Sequence, residues 1–195
     1  MITKAALLFA SLGLLGSALI TGCGSGCGDA HRWAVKTGTD PGAGAVDLGD
    51  PRTSTIATLV ALPVPASRPE TTREAPFETQ TYRLTDVQIV LAKRSDDQDF
   101  HLVVEDAAGH TLIAEIPEPD CVGDTSPWIN RITAARSTAL ARLNPRTTPA
   151  TMHVTASLVG IGFFDAVHGQ DGVAPNGIEL HPVLGICFGA GCALP

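Results

Sequence analysis

The chain has 195 residues and a formal net charge of −7, which becomes −8 (−7 − 1) once a leader containing Lys4 is removed. An acidic surface repels phosphate backbones, so this charge argues against a nucleic-acid partner, although four arginines could form a local basic patch: Arg131, Arg136, Arg142 and Arg146. Glycine and proline are abundant, with 20 and 14 copies, and aromatic residues make up only 5%. This composition is typical of a small β-rich fold with many turns and excludes an ordinary helical bundle.

The first 22 residues predict an export signal. Lys4 supplies a basic end and Ala5–Ile20 contains no charged residue, as in a secretory leader. The motif I-T-G-C ending at Cys23 resembles the bacterial lipobox, in which cleavage precedes a lipid-modified cysteine. We expect residues 1–22 to be removed and several acyl chains on Cys23 to anchor the protein, because one chain anchors weakly. Gly24 is not the aspartate that typically retains lipoproteins at the inner membrane, so the expected location is the cell envelope, at the outer membrane in a host with two membranes.

Four cysteines remain beyond the anchor, and export places them where disulfides persist: Cys27, Cys121, Cys187 and Cys192. Three pairings are open to them. Cys187 and Cys192 flank a glycine-containing loop that could close on itself. Cys27 lies in a predicted flexible tether and is the poorest partner on geometric grounds. Structural zinc would need a second close pair of cysteine or histidine ligands, so disulfides are the favoured interpretation.

Residues 23–78 are predicted to form a tether and an irregular N-terminal strap. Turn-forming residues are frequent in it, and the Pro-rich Ala61–Pro76 is typical of a linker or of a strap across a core. Between these stretches, Thr53–Leu62 could form one short helix capped by Thr53 or Ser54.

From Thr79 onward the pattern predicts strands. Thr79–Lys93 alternates polar and apolar residues, with a phase slip near Asp86 that indicates a β-bulge. Asp99–Asp106 and Thr111–Pro117 flank a short glycine turn and predict a β-hairpin.

A helix follows this hairpin. Ser126 and Pro127 fit its start, apolar residues then recur at helical spacing, and Asn144-Pro145 ends it. Two further strands, Thr151–Asp165 and Gly177–Phe188, are joined by a polar glycine-rich loop.

The order strand, strand, strand, helix, strand, strand is that of the OB-fold, a five-stranded Greek-key barrel. We therefore predict a mainly β chain, with an OB-like barrel over residues 79–188, its helix between strands three and four, and a C-terminal tail at residues 189–195. A small α+β sheet is the alternative. The barrel requires Thr79–Lys93 to pair with the strand His101–Asp106.

Three strand motifs stand out: DQDFHLV from Asp97, LIAEIP from Leu112 and ELHPV from Glu179. Together with RWAVKTGTD from Arg32, they resemble a widespread group of exported bacterial proteins of unknown function. That group typically shows D-x-D-x-H-L-V, M-I-A-E-I/F-P and E-L/I-H-P-V strands, so Leu112 stands where methionine is usual. The resemblance covers nearly all of the chain beyond the leader and implies no activity. Within RWAVKTGTD, Lys36-Thr37 could act electrostatically, but a surface segment strapped over the barrel is the favoured interpretation.

Two strands carry the strongest candidate site. Residues two apart on a strand face the same side, so Asp99 shares a face with His101, and Glu179 with His181. Carboxylate and imidazole ligands suit Zn²⁺, Mn²⁺ or Fe²⁺, and a metal-bound water could act as a hydrolytic nucleophile. The structural alternative is that Asp97 and Asp99 shape the entry to a hairpin while the other three side chains are satisfied within the fold. The two strands need not be adjacent in an OB-fold.

The loop between the last two strands is the second candidate. Five polar residues crowd it: Asp165, His168, Gln170, Asp171 and Asn176. This loop flanks the ligand face of OB-folds, which makes it a candidate ligand-binding loop. Turn chemistry around its glycines is the alternative.

The sequence lacks a G-x-S-x-G nucleophile motif and a phosphate-binding loop with Lys-Ser/Thr. The favoured function is therefore a membrane-anchored envelope lipoprotein that acts as a binding module for an envelope polymer or protein, or as a structural component, rather than as an enzyme. The alternative is a metal-dependent, phosphodiesterase-like hydrolase that uses Asp99, His101, Glu179 and His181. No cofactor is expected apart from that divalent metal.

Overall fold

The computed structural model describes Cys27 and residues 31–194, so the predicted leader and the predicted lipidation site at Cys23 lie outside the described residues. The described part of the chain is mainly β, with six strands: β1 Asp47–Thr53, β2 Gln80–Arg94, β3 Phe100–Glu105, β4 Thr111–Ile116, β5 Ala150–Phe164 and β6 Ile178–Phe188. Four α-helices accompany them: α1 Trp33–Thr37, α2 Ile56–Val60, α3 Pro119–Val122 and α4 Ile129–Leu143. Two short 3₁₀ helices cover Ala43–Ala45 and Phe77–Thr79. No helix within the described residues is long and apolar enough to cross a membrane.

The six strands form one mixed sheet in the order β1-β2-β3-β4-β6-β5, and β2 also pairs with β5. The predicted pairing of Thr79–Lys93 with His101–Asp106 is confirmed, since β2 and β3 are antiparallel with Lys93 opposite His101. The mainly β class is also confirmed, but the sheet has six strands where five were predicted. The sixth is β1, which lies in the predicted irregular strap and pairs in parallel with the start of β2.

The predicted bulge near Asp86 is confirmed. Asp86 has a positive φ of 53°, and the pairing of β2 with β5 shifts between Leu84 and Val87. The Asp86 amide donates to Ser157 Oγ at 3.2 Å, and its carboxylate accepts from the Gly191 amide at 2.8 Å. A bulge increases local twist and bends the strand, which helps β2 reach partners on both of its edges.

The apolar core lies on one face of the strands. Alternate residues of β3, β4 and β6 point into it, and α4 contributes its own apolar side: Leu102, Val104, Leu112, Ala114, Leu180, Ile132 and Ala139. Burying a leucine or isoleucine side chain of this kind stabilises the fold by roughly 1.5–3 kcal/mol. The intervening residues of the same strands point to the opposite face, and that face carries the ionisable residues described below.

Both predicted helices form, but each begins later than predicted. In α4 the N-cap position is Trp128 and not the predicted Ser126, although Ser126 Oγ still accepts from the Trp128 amide at 3.2 Å and donates to the Thr37 carbonyl at 2.6 Å. The helix ends as predicted, at Asn144 in the left-handed conformation with φ 47°. In α2 the capping residue is Thr55, whose Oγ1 accepts from the Thr58 amide.

Two disulfides join the four cysteines in the described residues. The Cys187–Cys192 loop closes on itself, with Cα atoms 6.0 Å apart. The other disulfide joins Cys27 to Cys121 in α3, with Cα atoms 5.2 Å apart, so the expectation that Cys27 is the poorest partner was wrong. The physical reason is that Arg32, only five residues after Cys27, is buried in the domain, so Cys27 cannot lie far from it.

Candidate functional site

Ionisable side chains cross three neighbouring strands on the face opposite the apolar core. His101 of β3 lies opposite Glu115 of β4, and Ile113 of β4 lies opposite Glu179 of β6. Continuing the parallel β4–β6 register by two residues places His181 beside Glu115. Strand β4 lies between β3 and β6. Glu115 of β4 therefore connects the predicted pair Asp99 and His101 with the predicted pair Glu179 and His181.

The distances define one buried polar cluster of five residues: Asp99, His101, Glu115, Glu179 and His181. Glu115 contacts both histidines, with Oε1 2.8 Å from Nδ1 of His101 and Oε2 3.0 Å from Nδ1 of His181. On the other side of the His181 ring, Nε2 lies 3.4 Å from Oδ2 of Asp99. Glu179 Oε2 is 3.8 Å from Nδ1 of His181. Three carboxylates therefore surround one imidazole.

Glu115 was not among the predicted site residues. The signal that could have identified it is an acidic residue in the otherwise apolar strand TLIAEI, on the same strand face as Ile113. A carboxylate in a buried strand is costly unless it is paired, so such a residue indicates a partner on a neighbouring strand.

The contacts around His181 are short but poorly aligned. Asp99 and His181 have no exposed surface, and Glu179 is 2% exposed. Nevertheless, among the described residues, Asp99 Oδ2, Glu179 Oε2 and both ring nitrogens of His181 lack a hydrogen-bond partner. At separations of 3.0 and 3.4 Å the distances would allow hydrogen bonds, so the carboxylate oxygens must lie away from the N–H directions.

Burial and mutual charge move the pKa values of these groups in opposite directions. Burial raises the pKa of Glu179 to about 7, and burial also raises the pKa of Asp99. For Glu115, burial alone would raise the pKa, but His101 and His181 outweigh it and hold the pKa well below the usual range. Burial would likewise lower the pKa of His181, yet Asp99, Glu115 and Glu179 together raise it well above its ordinary value. Neighbouring carboxyls with opposite shifts are typical of functional sites.

His101 is held by two acceptors. Its Nδ1 faces Glu115 at 2.8 Å and its Nε2 donates to the carbonyl of Asp171 at 3.0 Å. Only an imidazolium can donate from both nitrogens. Consistent with this, burial would lower the pKa of His101, but the contact with Glu115 raises it.

Helix α1 covers part of this polar face. Lys36 on α1 is buried, and its Nζ lies 3.0 Å from Oδ2 of Asp165 and 5.3 Å from the centre of the Phe163 ring. Burial would lower the pKa of Lys36, but the charges of Asp165, Glu115 and Glu179 raise it. Of the two expectations for Lys36, the electrostatic role fits this position and the surface strap does not.

Arg32 holds α1 in place. Its side chain has no exposed surface and makes a bidentate pair with Glu78, both N···O distances being 2.7 Å. The remaining guanidinium donors bind the carbonyls of Pro69, Thr72 and Phe164, so all five N–H groups are satisfied. The guanidinium also lies 4.8 Å from the centre of the Phe163 ring.

The loop of residues 165–177 covers the rest of the polar face. Gly172, with φ 76°, brings the loop so close to β3 that a Cβ there would lie 2.3 Å from Cγ1 of Val103. The carbonyl of Asp171 accepts a hydrogen bond from Nε2 of His101, and the Asp171 carboxylate lies 3.3 Å from Nζ of Lys93. His168 and Gln170 border the adjoining cavity. Asn176 points elsewhere and donates to the Leu59 and Leu62 carbonyls, a structural role.

A cavity of about 360 Å³ opens between the polar cluster, α1 and this loop. Its charged lining includes both signs: Lys36, Lys93, His101, Glu115, Asp165 and Glu179. Asp99 and His181 do not line the cavity and lie beneath it. The structure thus brings Glu179 and His101 of the predicted metal set to the cavity and joins them to the other two residues through Glu115.

A second cavity of about 320 Å³ lies beside α4 and includes two of the four arginines in the predicted basic patch, Arg136 and Arg146. Arg136 is committed to the fold, because its guanidinium donates to the carbonyls of Ile116 and Gln98 and pairs with Glu118 at 2.7 Å. The polar cluster is therefore the better candidate site.

The chain matches no protein-family model and no curated protein. The resemblance to exported bacterial proteins stays a prediction, and the site is interpreted from its own geometry.

Proposed function

We propose that this chain is a lipoprotein of the bacterial cell envelope, anchored through Cys23, and that its domain is a binding module. The leader and the lipobox-like motif support the anchor. The disulfides Cys27–Cys121 and Cys187–Cys192 support export, because disulfides persist in oxidising compartments.

We also propose an OB-like architecture for the binding domain. In its support, the pairings run from β2 through β3, β4, β6 and β5 back to β2, and α4 follows the third strand of that ring. In OB-folds the loop between the last two strands flanks the ligand face. The corresponding loop in this chain, residues 165–177, borders the cavity.

The observation that carries the proposal is the opposed charge in that cavity. The Lys36 ammonium and the Glu179 carboxyl are both buried and both line it. Interactions with such groups are stronger than at an exposed surface, because the effective dielectric constant is lower. The ligand with matching chemistry is small and polar and carries an amino and a carboxylate group, as the peptides of bacterial wall polymers do.

Isothermal titration with soluble muropeptides tests this function on the full chain in detergent micelles. We expect wild type to bind and Lys36→Met to bind at least about tenfold more weakly, which corresponds to about 1.4 kcal/mol. Arg131→Met, a change at an exposed residue of α4, should bind like wild type. Absence of binding by the folded wild type, or equal affinity of Lys36→Met, would reject this ligand class.

The anchor is tested separately in cells. Cys23→Ala should abolish incorporation of labelled palmitate and move the chain from the membrane to the soluble fraction. Ser25→Ala provides the matched control, since it changes a nearby residue but keeps the lipidation motif and all cysteines. Palmitate labelling that persists in Cys23→Ala would exclude this anchor.

A hydrolase is the second candidate function. The observation that favours it is the pair Glu115 and Glu179, which both line the cavity while their pKa values are shifted in opposite directions. Such a pair can supply a base and an acid near neutral pH. Turnover of bis(p-nitrophenyl) phosphate that is lost in Glu179→Gln would support this candidate, and no turnover by wild type with added Mn²⁺ would remove it.

A further inference from the structure

The buried polar cluster contains more acidic than basic groups. Asp99, Glu115 and Glu179 can carry three negative charges, whereas His101 and His181 carry at most two positive charges. Carboxylates that are removed from water need compensation by a cation or a proton. Lys36 provides only part of it, because its one positive charge is shared with Asp165, whose Oδ2 lies 3.0 Å from Nζ.

The orientation of the donor atoms indicates what kind of compensation fits. Oxygens of Asp99 and Glu115 lie 3.4 and 3.0 Å from the ring nitrogens of His181 without forming aligned hydrogen bonds. Glu179 Oε2 is buried, lies 3.8 Å from Nδ1 of the same ring, and has no hydrogen-bond partner either. Buried donor atoms that do not satisfy one another would be satisfied by a cation bound among them.

We propose that Asp99, Glu115 and His181 bind a divalent transition-metal ion, with Glu179 as a further donor. One donor atom from each of the first three residues lies within 4.8 Å of the other two. The set differs from the one predicted from the sequence, because Glu115 replaces His101 as a ligand.

His101 acts as a positioning residue for this site. Its Nδ1 contacts Oε1 of Glu115 and leaves Oε2, the oxygen nearer His181, available to the ion. The Asp171 carbonyl fixes the other side of the His101 ring at 3.0 Å. Groups that orient metal ligands in this way are a regular feature of protein metal sites.

The donor set selects the class of metal. Several carboxylates with one imidazole suit Zn²⁺, Mn²⁺ or Fe²⁺, whereas Ca²⁺ and Mg²⁺ prefer oxygen ligands only. Glu115 and Glu179 line the cavity, so an ion can enter from solution on their side. An ion bound by these residues would lie at the floor of the proposed ligand cavity. The inference therefore rests on and deepens the proposed function. Binding of the metal itself does not require the muropeptide.

The test is a titration of the untagged full chain in detergent micelles, stripped with EDTA and dialysed, with ZnCl₂ as the probe. Calorimetry measures affinity and stoichiometry, elemental analysis after gel filtration counts the retained zinc, and circular dichroism checks folding. The ligand variants are Glu115→Gln and Glu179→Gln. Asp124→Asn is the matched control, because Asp124 is an exposed carboxylate that does not line the cavity.

We expect wild type to bind one zinc ion and each ligand variant to bind at least about tenfold more weakly, because loss of a group that only orients a ligand already costs about 10–100-fold. Asp124→Asn and His110→Ala should match wild type; the latter removes an exposed histidine that lies beside Asp106. If Glu115→Gln does not fold, Glu179→Gln alone decides. The proposal is overturned if the folded wild type retains no zinc, or if the folded Glu179→Gln variant binds zinc as wild type does.

Muropeptide binding by the EDTA-stripped chain is measured in parallel. Binding of muropeptide without binding of zinc would support the proposed function and reject the metal site. Binding of zinc without binding of muropeptide would support the metal site and reject that ligand class.

Discussion

Oε2 of Glu115 lies 3.0 Å from Nδ1 of His181, on the neighbouring parallel strands β4 and β6. The contact joins two sequence motifs that are far apart along the chain. The other carboxylate oxygen of Glu115, Oε1, contacts His101 on β3, so one acidic side chain connects both histidines of the site. Predictions about stability and pH follow from this arrangement and from the elements that cover it.

The first prediction concerns the pH dependence of stability in the metal-free chain with EDTA present. Burial raises the pKa of Glu179 from 4.5 to about 7, so between these values the folded state holds more protons than the unfolded state. The free energy of unfolding must therefore fall as the pH rises through this window. Glu179→Gln removes this contribution, and the fall between about pH 5 and about pH 8 should shrink by on the order of 1–3 kcal/mol. Urea denaturation across this range measures it.

A residual slope should remain in Glu179→Gln. The pKa values of His101 and His181 are raised above 6.5 by their carboxylate partners, so their stabilisation is present below that pH and is lost as the pH rises further. Superimposable pH profiles for Glu179→Gln and wild type would contradict the assignment of a raised pKa to Glu179.

The second prediction concerns Arg32, the residue that holds α1 over the site. Arg32→Ala leaves Glu78 as a buried, unpaired carboxylate, and such losses cost about 3–5 kcal/mol. Urea denaturation should show this loss. Arg131→Ala, the same change at an exposed position of α4, should alter stability by no more than about 0.5 kcal/mol. Equal stability of the two variants would show that the Arg32–Glu78 pair does not hold α1.

The third prediction separates close packing from backbone strain in the loop of residues 165–177. Gly172 and Gly169 both have positive φ, 76° and 86°, but a Cβ would contact Val103 only at Gly172 and nothing within 4 Å at Gly169. Alanine at either position should cost about 1–2 kcal/mol for the left-handed conformation. Gly172→Ala should cost more than Gly169→Ala by about 1–3 kcal/mol, because the loop must also move away from β3.

Thermal or urea denaturation of the two alanine variants measures that difference. A second readout is His101, whose Nε2 binds the loop at the Asp171 carbonyl. Displacement of the loop in Gly172→Ala should change the NMR chemical shifts of the His101 ring, and unchanged shifts would argue against the close approach.

The fourth prediction compares the two disulfides. Cys27–Cys121 closes a loop with a sequence separation of 94, and Cys187–Cys192 one of 5. In the chain-entropy account, their removal should cost about 4–5 kcal/mol and about 2 kcal/mol, respectively. The double variants Cys27→Ser/Cys121→Ser and Cys187→Ser/Cys192→Ser leave no unpaired thiol from the removed bond. If urea denaturation shows equal losses of stability for the two double variants, other contacts must keep the long loop closed when its disulfide is absent.

Local patterns were sufficient for many elements of the fold. Alternation along Thr79–Lys93, its bulge at Asp86, the hairpin around Gly109 and the end of α4 at Asn144 are confirmed, because each depends on residues that are near in sequence. The strap was harder to predict. Its turn-rich composition gave no sign of β1, because β1 forms by pairing with β2, a strand that is distant in sequence.

The sequence by itself was enough to predict the mainly β class and the pairs Asp99 with His101 and Glu179 with His181, while the leader and the lipobox-like motif stay predictions. Strand periodicity is local, so it specifies which side chains share a face. Only the tertiary structure decided that Glu115 lies between the two histidines, because strand register and the order β3-β4-β6 are set by non-local packing. The same packing buried Lys36 of α1 and joined Cys27 to Cys121, since neither contact has a signal in the residues around it.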